Sequence, residues 1–379
     1  MALLFNEEQQ YLKDTAKDFV QKNAPINHFR ELRDSENEIG YSKDLWKQMA
    51  ELGWAGILIS EEYGGSDFGM LGLGAILEET GRCLVPSPLF STALLGASLL
   101  EIGGSNDQKK DLLTKIAQGS LTTAFALEEG SRHAPNIIST KSEKKGGGYI
   151  LNGEKTFVLD GHSADLLIVT ARTSGKKEDN SGISLFLTDP DSKGLTRNRT
   201  LMVDSRNACE INLKDVQVPE SNLLGELDGG LPIIEEVLDR GQIGISAEML
   251  GNALEAFDKT LEYLKERKQF GAPIGSFQAL QHRAAIMFAE IELTKSSVIG
   301  ALNAVDENSN DRARFASLAK FKAGETLKLV SSEAVQMHGG VGVTDEFDIG
   351  FFLKRSRVAE QIFGSSDYHI DKYATLSGY

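Results

Sequence analysis

Between residues 243 and 301 the chain carries two amphipathic stripes separated by a short corner, Glu266-Arg267-Lys268-Gln269-Phe270-Gly271-Ala272-Pro273-Ile274-Gly275. Before the corner, Ile243, Ala247, Leu250, Leu254, Phe257, Leu261 and Leu264 recur at alternating steps of four and three. After it, Leu280, Ala284, Met287, Ile291, Thr294, Val298 and Ala301 repeat the same steps. That spacing places each set on one face of an α-helix. Two helices joined by so short a Gly/Pro connection pack antiparallel, which commits this part of the chain to a bundle. An Arg, an aromatic ring and a Gln at such a corner suit a planar ligand that carries phosphate. The guanidinium pairs with phosphate and the ring packs on a flat face. A plain helix hairpin with a charged corner would present the same residues, so the corner alone leaves both readings open.

Charge narrows the partners. The 40 Lys and Arg against 55 Asp and Glu give a net charge of −15, which argues against a general binder of nucleic acid or of an anionic membrane. With 379 residues, 41% of them hydrophobic, the chain is long enough for two or three domains with ample core. Cys83 and Cys209 are its only cysteines, so no disulfide framework is implied and a reducing compartment suits it. The first residues, Met1-Ala2-Leu3-Leu4-Phe5-Asn6-Glu7-Glu8, lack the basic segment and apolar core of a signal peptide and are too acidic for a transit peptide. No apolar run approaches transmembrane length. The expected location is the cytoplasm.

Taken in order, residues 1–119 read as a helical domain. Asn6 followed by Gln9 has the form of a capping box, with Leu12, Ala16 and Phe19 on one face after it. A helix opens near Ser42 with Leu45, Met49 and Leu52, and Gly64-Gly65 break the pattern. Met70–Gly81, Ser91–Leu100 and Asp107–Gly119 read as further helices. Residues 120–225 change character: short β-type runs alternate with turn residues, giving a mostly antiparallel β domain. Asn152-Gly153 is the strongest hairpin signal in the chain. Lys141–Gly148 and Gly175–Asn180 read as exposed connections. Residues 226–379 are helical again, in four long segments with the last starting near Arg355, and Gly339-Gly340 stop the third.

Several separated motifs now agree. Glu61-Glu62-Tyr63-Gly64-Gly65, Tyr149-Ile150-Leu151-Asn152-Gly153-Glu154-Lys155, Arg267-Lys268-Gln269-Phe270-Gly271 and Gln336-Met337-His338-Gly339-Gly340 stand in this order over nearly the whole chain. In this arrangement the chain resembles the acyl-CoA dehydrogenase family. The resemblance implies an α+β multidomain fold: an N-terminal α-helical domain, a middle antiparallel β domain and a C-terminal four-helix bundle. It also implies FAD as cofactor and α,β-dehydrogenation of an acyl-CoA thioester, with an electron-transfer flavoprotein as acceptor. A homodimer, a homotetramer or a heterotetramer with a related subunit is the implied assembly, in which one subunit's flavin reaches its neighbour.

By the same resemblance, Arg267, Phe270 and Gln278 reach the FAD of the adjacent subunit, and Gln336, Gly339 and Gly340 pack on that cofactor. Phe157 stands where the family usually has Trp against the flavin ring. Two positions depart from the pattern. Leu127, in Leu127-Glu128-Glu129-Gly130-Ser131-Arg132-His133, occupies the family's Thr-Glu-Pro turn, and Leu159 replaces a hydroxyl near the flavin edge. Backbone N–H groups at both remain available, although simple β-core packing is the plainer explanation of both leucines. Asp239, Arg240 and Gln242 fall in the segment that lies along the substrate. No metal ligand set is visible.

The catalytic base is the larger departure. Removal of the α-proton needs a carboxylate, while the flavin takes the hydride. Most of the family places that Glu at the start of the last helix, where this chain reads Gln361-Ile362-Phe363-Gly364-Ser365-Ser366-Asp367, and Gly364 aligns with it. The minority position, on the first bundle helix, aligns with Gly241. Asp367, Asp239 and Glu248 are nearby carboxylates, and His338 and His369 are bases by chemistry. Each of these also reads as an ordinary surface, capping or core residue. Three functions follow: a dehydrogenase with a displaced base, a base-less subunit of a heteromer, or enoyl-CoA reduction or flavin oxidation on the same fold. Loss of both Glu side chains is expected to widen the acyl cavity for a bulky chain, and a Glu returned to Gly364 or Gly241 to restore some turnover provided the pocket tolerates it.

Overall fold

The computed structural model describes residues 5–379. In chain order its first helices are α1 (Glu7–Asn23), α2 (Ile26–Asp34), α3 (Lys43–Glu51), α4 (Gly69–Arg82), α5 (Ala97–Gly103), α6 (Asn106–Gln108) and α7 (Thr114–Ala117). The strands are β1 (Thr123–Ala126), β2 (Lys141–Lys145), β3 (Gly148–Leu159), β4 (Leu166–Arg172), β5 (Ile183–Thr188), β6 (Leu195–Leu201), β7 (Asn207–Pro219) and β8 (Leu223–Leu224). Long helices follow: α8 (Gly230–Glu266), α9 (Gln278–Asp306), α10 (Arg312–His338), α11 (Ile349–Gln361) and α12 (Ser366–Leu376). These elements gather into two compact units. One comprises residues up to Glu31 with Met70–Val85 and Gln242–Tyr379, the other Leu32–Gly69 with Pro86–Gly241.

In the first unit, α1 begins as its sequence predicts. The Asn6 side chain accepts the Gln9 N–H at 2.8 Å, and the Gln9 side chain accepts the Asn6 N–H at 2.9 Å, which satisfies two orphan donors of the first turn. The apolar stripes of α8 and α9 face inward: Ile243, Ala247, Leu250, Phe257, Leu264, Met287, Ile291, Val298 and Ala301 are all buried. Helix α4 is buried on nearly every side from Met70 to Gly81, and it crosses α8 through two glycines. A Cβ on Gly81 would lie 2.4 Å from the Glu248 carbonyl oxygen, and one on Gly251 would lie 1.9 Å from that of Glu78. Two backbones this close leave no room for a side chain, which is why glycine stands at both positions.

The second unit is built on a sheet with strand order β6-β7-β3-β2-β4-β5-β8, to which β1 adds in parallel along β4. All other strand pairs are antiparallel except a single β2–β4 contact at Lys141 and Arg172. Inward residues of five strands, including Ala126, Leu151, Leu167, Phe186, Ile211 and Val216, form its core. Three features differ from the sequence reading. The hairpin between β2 and β3 turns at Gly146-Gly147, both at positive φ (59° and 80°), and not at Asn152-Gly153. Asn152-Gly153 instead sits inside β3 at a register shift against β7, with Asn152 Nδ2 donating to Asp215 Oδ1. A β-bulge and a tight turn both favour Asn-Gly, so the dipeptide does not tell them apart. Lys141–Lys145 is strand, not an exposed connection; its side chains are mostly exposed, but its backbone pairs with β3. Finally, the helix read as starting near Arg355 starts at Ile349, and the chain breaks at Gln361 before α12.

Candidate active site

In the β unit, β3 is distorted at the residue expected against the flavin. The β3–β7 register shifts between Lys155 and Val158, and Phe157 within that bulge has φ 52°. A bulky residue held in the left-handed region is a genuine outlier, and such outliers gather at sites where a side chain is re-aimed. The Phe157 and Leu159 side chains are each half-buried, whereas Leu127 is 2% exposed. Leu127 therefore packs in the core, and only its backbone is free for polar contact. Beneath it lies Lys155, wholly buried, whose Nζ donates to Leu127 O (3.2 Å), Thr170 Oγ1 (2.7 Å) and Glu129 Oε1 (2.6 Å). The Glu129 carboxylate also accepts the N–H groups of Ser139 and Thr140, and Thr156 N–H donates to Glu128 O at 2.8 Å. The loop after Leu127 is thus stitched directly to the bulge. Burial pushes the Lys155 amine down to about 8 despite the Glu129 charge beside it.

In the helical unit, the corner after α8 folds as a tight hairpin, with Lys268–Gln269 paired to Ala272–Pro273. Phe270 sits at its tip with φ 56° and its ring 92% exposed, edge-on to Phe277. Arg267 and Gln278 are exposed beside it, and Arg267 makes no ion pair among the described residues. Gln336, Gly339 and Gly340 are exposed at the end of α10. Tyr263 brings the two groups together: its ring stacks on His338 at 4.3 Å and its hydroxyl donates to His338 O. His338 is spoken for. Its Nδ1–H donates to Ala334 O at 2.8 Å, and burial holds the imidazole pKa below its usual value.

The turn between α11 and α12 carries the position expected to hold the base. Phe363 and Gly364 have φ 56° and 109°, two consecutive residues at positive φ. A Cβ on Gly364 would lie 2.5 Å from Tyr368 Cδ1 and 2.9 Å from His369 Nε2. The space a side chain would use is therefore filled by two rings, so a Glu placed at this position would have to displace Tyr368 or His369. Lys320 Nζ donates to Glu360 O (2.8 Å) and Gly364 O (2.9 Å), while Gln242 Nε2 and His369 Nε2 both reach Phe363 O. Lys320 was missed in the sequence, although a Lys in line with Ala316, Ala323 and Leu327 on a buried stripe of α10 was the available signal.

The alternative proton acceptors are placed as follows. Asp367 is exposed in the first turn of α12, where a carboxylate suits the helix N-terminus. Glu248 is buried and holds Arg355 through two hydrogen bonds of 2.8 and 3.1 Å. Asp239 is 4% exposed and Gly241 is also buried. Arg240 pairs with Glu236 at 2.8 Å, and Gln242 has no exposed surface.

Comparison with known proteins settles the ancestry. Sequence profiles for the N-terminal, middle and C-terminal domains of acyl-CoA dehydrogenase match residues 6–120, 124–216 and 228–375. The chain belongs to the acyl-CoA dehydrogenase family. It is 36% identical to the probable acyl-CoA dehydrogenase YngJ of Bacillus subtilis, over 95% of both chains. It is 31% identical to subunit CarC of the caffeyl-CoA reductase–Etf complex of Acetobacterium woodii, over 96% of both. Among solved structures, a variant of the Tcur3481–Tcur3483 steroid ACAD matches with a TM-score of 0.88 and 29% identity over 98% of both chains.

As a member of this family the chain is an FAD-dependent flavoprotein oxidoreductase. Its residues fit that cofactor on their own geometry. The re-aimed Phe157 offers an aromatic face, and Arg267, without an ion pair among the described residues, offers with the bare Phe270 ring a cation and a second face for a phosphate-bearing ring system.

Proposed function

We propose that this acyl-CoA dehydrogenase family member acts on an acyl-CoA thioester of a bulky or unusual acyl chain, and that it lacks its own catalytic carboxylate. It then works as the flavin-carrying subunit beside a related chain that supplies the base. The observation that carries this reading is the Gly364 turn: φ 109°, with the Cβ direction filled by Tyr368 and His369. Phe157 and the backbone of Leu127 and Leu159 hold the flavin ring. Arg267, Phe270, Gln278, Gln336, Gly339 and Gly340 hold the diphosphate and adenine of a neighbouring subunit's cofactor. Bound FAD supplies the hydride acceptor. The chain's own residues orient the ring, neutralise phosphate charge and exclude water, and no side chain at position 364 takes the α-proton. An electron-transfer flavoprotein fits as the partner, since CarC is named as part of a complex with one. Two free cysteines suit a reducing cytoplasm.

The test is anaerobic. The purified protein, with its FAD content measured, is mixed with a panel of straight-chain, aryl and steroid acyl-CoA thioesters, and bleaching of the flavin band is followed. Slow or absent bleaching by the chain alone is expected. Rapid bleaching with a short straight-chain thioester overturns the base-less reading.

A further inference from the structure

The turn that joins α11 to α12 is held in an unusual way. Phe363 and Gly364 both sit at positive φ, which for a phenylalanine is strained and persists only where the surroundings impose it. Three buried polar side chains from three different helices impose it here. Gln242 of α8 and His369 of α12 both bond Phe363 O, at 3.4 and 2.9 Å. Lys320 of α10 bonds Gly364 O and the Glu360 carbonyl at the end of α11. Gln242 and His369 have no exposed surface and Lys320 has 1%. Lys320 makes no ion pair among the described residues, so its whole polar end is committed to this turn. A buried lysine without a carboxylate is costly to keep, so a surrounding structure that keeps one implies a specific use for it.

We propose that Lys320 is a positioning residue, which with Gln242 and His369 locks the turn so that the Phe363–Gly364 peptide, and not a side chain, is what this turn presents to the acyl thioester. The proposal rests on the function proposed above for its last clause only; the lock itself stands on the geometry. Burial pushes the Lys320 amine down to about 7, with Glu360 acting in the opposite direction. An amine keeps two N–H donors when neutral, one for each carbonyl, so the lock does not depend on its charge. The Cβ contacts at Gly364 follow from the same arrangement. With Gly364 O tied down, the residue cannot rotate to admit a side chain past Tyr368 and His369.

The experiment uses the full-length FAD-loaded protein and two readouts. Amide hydrogen exchange of the peptide 361–370 is measured in the wild type and in Lys320→Met. In parallel, the shift of the flavin absorption band is titrated with a non-reacting acyl-CoA thioether. The wild-type turn is expected to be as protected as α10, and Lys320→Met to exchange at least ten-fold faster there while α8 to α10 keep their protection. Lys320→Met is also expected to retain FAD and to need at least ten-fold more thioether for the same band shift. A wild-type turn that exchanges as fast as the chain end overturns the lock without any variant, so a Lys320→Met chain that fails to fold leaves the test intact. A folded Lys320→Met chain with an unchanged turn and an unchanged titration overturns it as well. If the wild type holds FAD but its band does not respond to any thioether, the functional reading fails, and the exchange arm still decides the lock.

Discussion

On the base-less reading proposed above, what keeps a carboxylate out of position 364 is backbone geometry and not one substituted side chain. Gly364→Glu must place a non-glycine residue at φ 109° and push its Cβ against Tyr368 and His369. Strain at such a φ costs about 1–3 kcal/mol, and overpacking adds about as much again. The variant is expected to melt at a clearly lower temperature and to gain no dehydrogenase turnover; a stable variant with raised turnover would contradict this. A second test at this scale concerns Lys155 and Glu129, whose side chains are 0% and 11% exposed. Glu129→Gln leaves a buried ammonium without its counter-charge, and breaking such a pair costs about 3–5 kcal/mol. The sign with pH follows from the lowered amine pKa, about 8 against an ordinary 10.5. Glu129 holds that pKa up, so without it the amine loses its proton at lower pH still; the penalty is largest at acid pH, fades as pH rises and is gone above about 8, where the amine is neutral in either protein. The difference in melting temperature between wild type and Glu129→Gln should therefore be large at pH 6.5 and shrink by pH 9.5. A difference that is flat or grows would remove the pair from the account.

Elements set by local chemistry were legible in the sequence, and those set by tertiary contact were not. The Asn6–Gln9 box, the Ser42 cap and the stripes of α8 and α9 could be read because capping and periodicity act within a few residues. The break between α11 and α12 could not, because the Lys320 amine that ties off the end of α11 lies on another helix. For the same reason the family motifs pointed to Arg267, Phe270 and Phe157, while the pairing of Lys155 with Glu129 beside Leu127 went unread: the two are distant in sequence and the pair is hidden in the core. The α4–α8 crossing offers an element-scale test. Gly251→Ala drives a Cβ into the Glu78 carbonyl oxygen, a backbone atom that only a shift of the whole helix relieves. A cost of about 1–3 kcal/mol or more is expected, read as a lower denaturation midpoint. An unchanged midpoint would show that the helices can separate freely.

At the scale of the whole molecule, the question is what one chain does alone and what it does with a neighbour. Arg267, Phe270 and Gln278 are exposed, and Arg267 has no ion pair among the described residues, which is how residues look when their ligand comes from elsewhere. Loss of a charge-assisted phosphate contact costs about 1.5–3 kcal/mol. Arg267→Ala should thus weaken FAD retention roughly ten-fold or more on dilution and gel filtration; undiminished retention would separate Arg267 from the cofactor. The last prediction joins this site to the glycine turn. A positioned general base contributes about 10²–10⁴-fold to proton transfer. Glu248 is committed to Arg355 and Asp367 stands in solvent, so on the base-less reading neither supplies that factor. The homo-oligomer should therefore turn over acyl-CoA thioesters at least about 10²-fold more slowly than an assembly with a related chain that keeps the Glu. Co-purification with such a chain should recover the rate without any change in this one. A displaced base, Asp367 or Asp239, makes the opposite forecast: full turnover by the chain alone, abolished by the matching Asp→Asn change. The two outcomes exclude each other, and steady-state rates of the isolated chain, the pair and the two Asn variants decide between them.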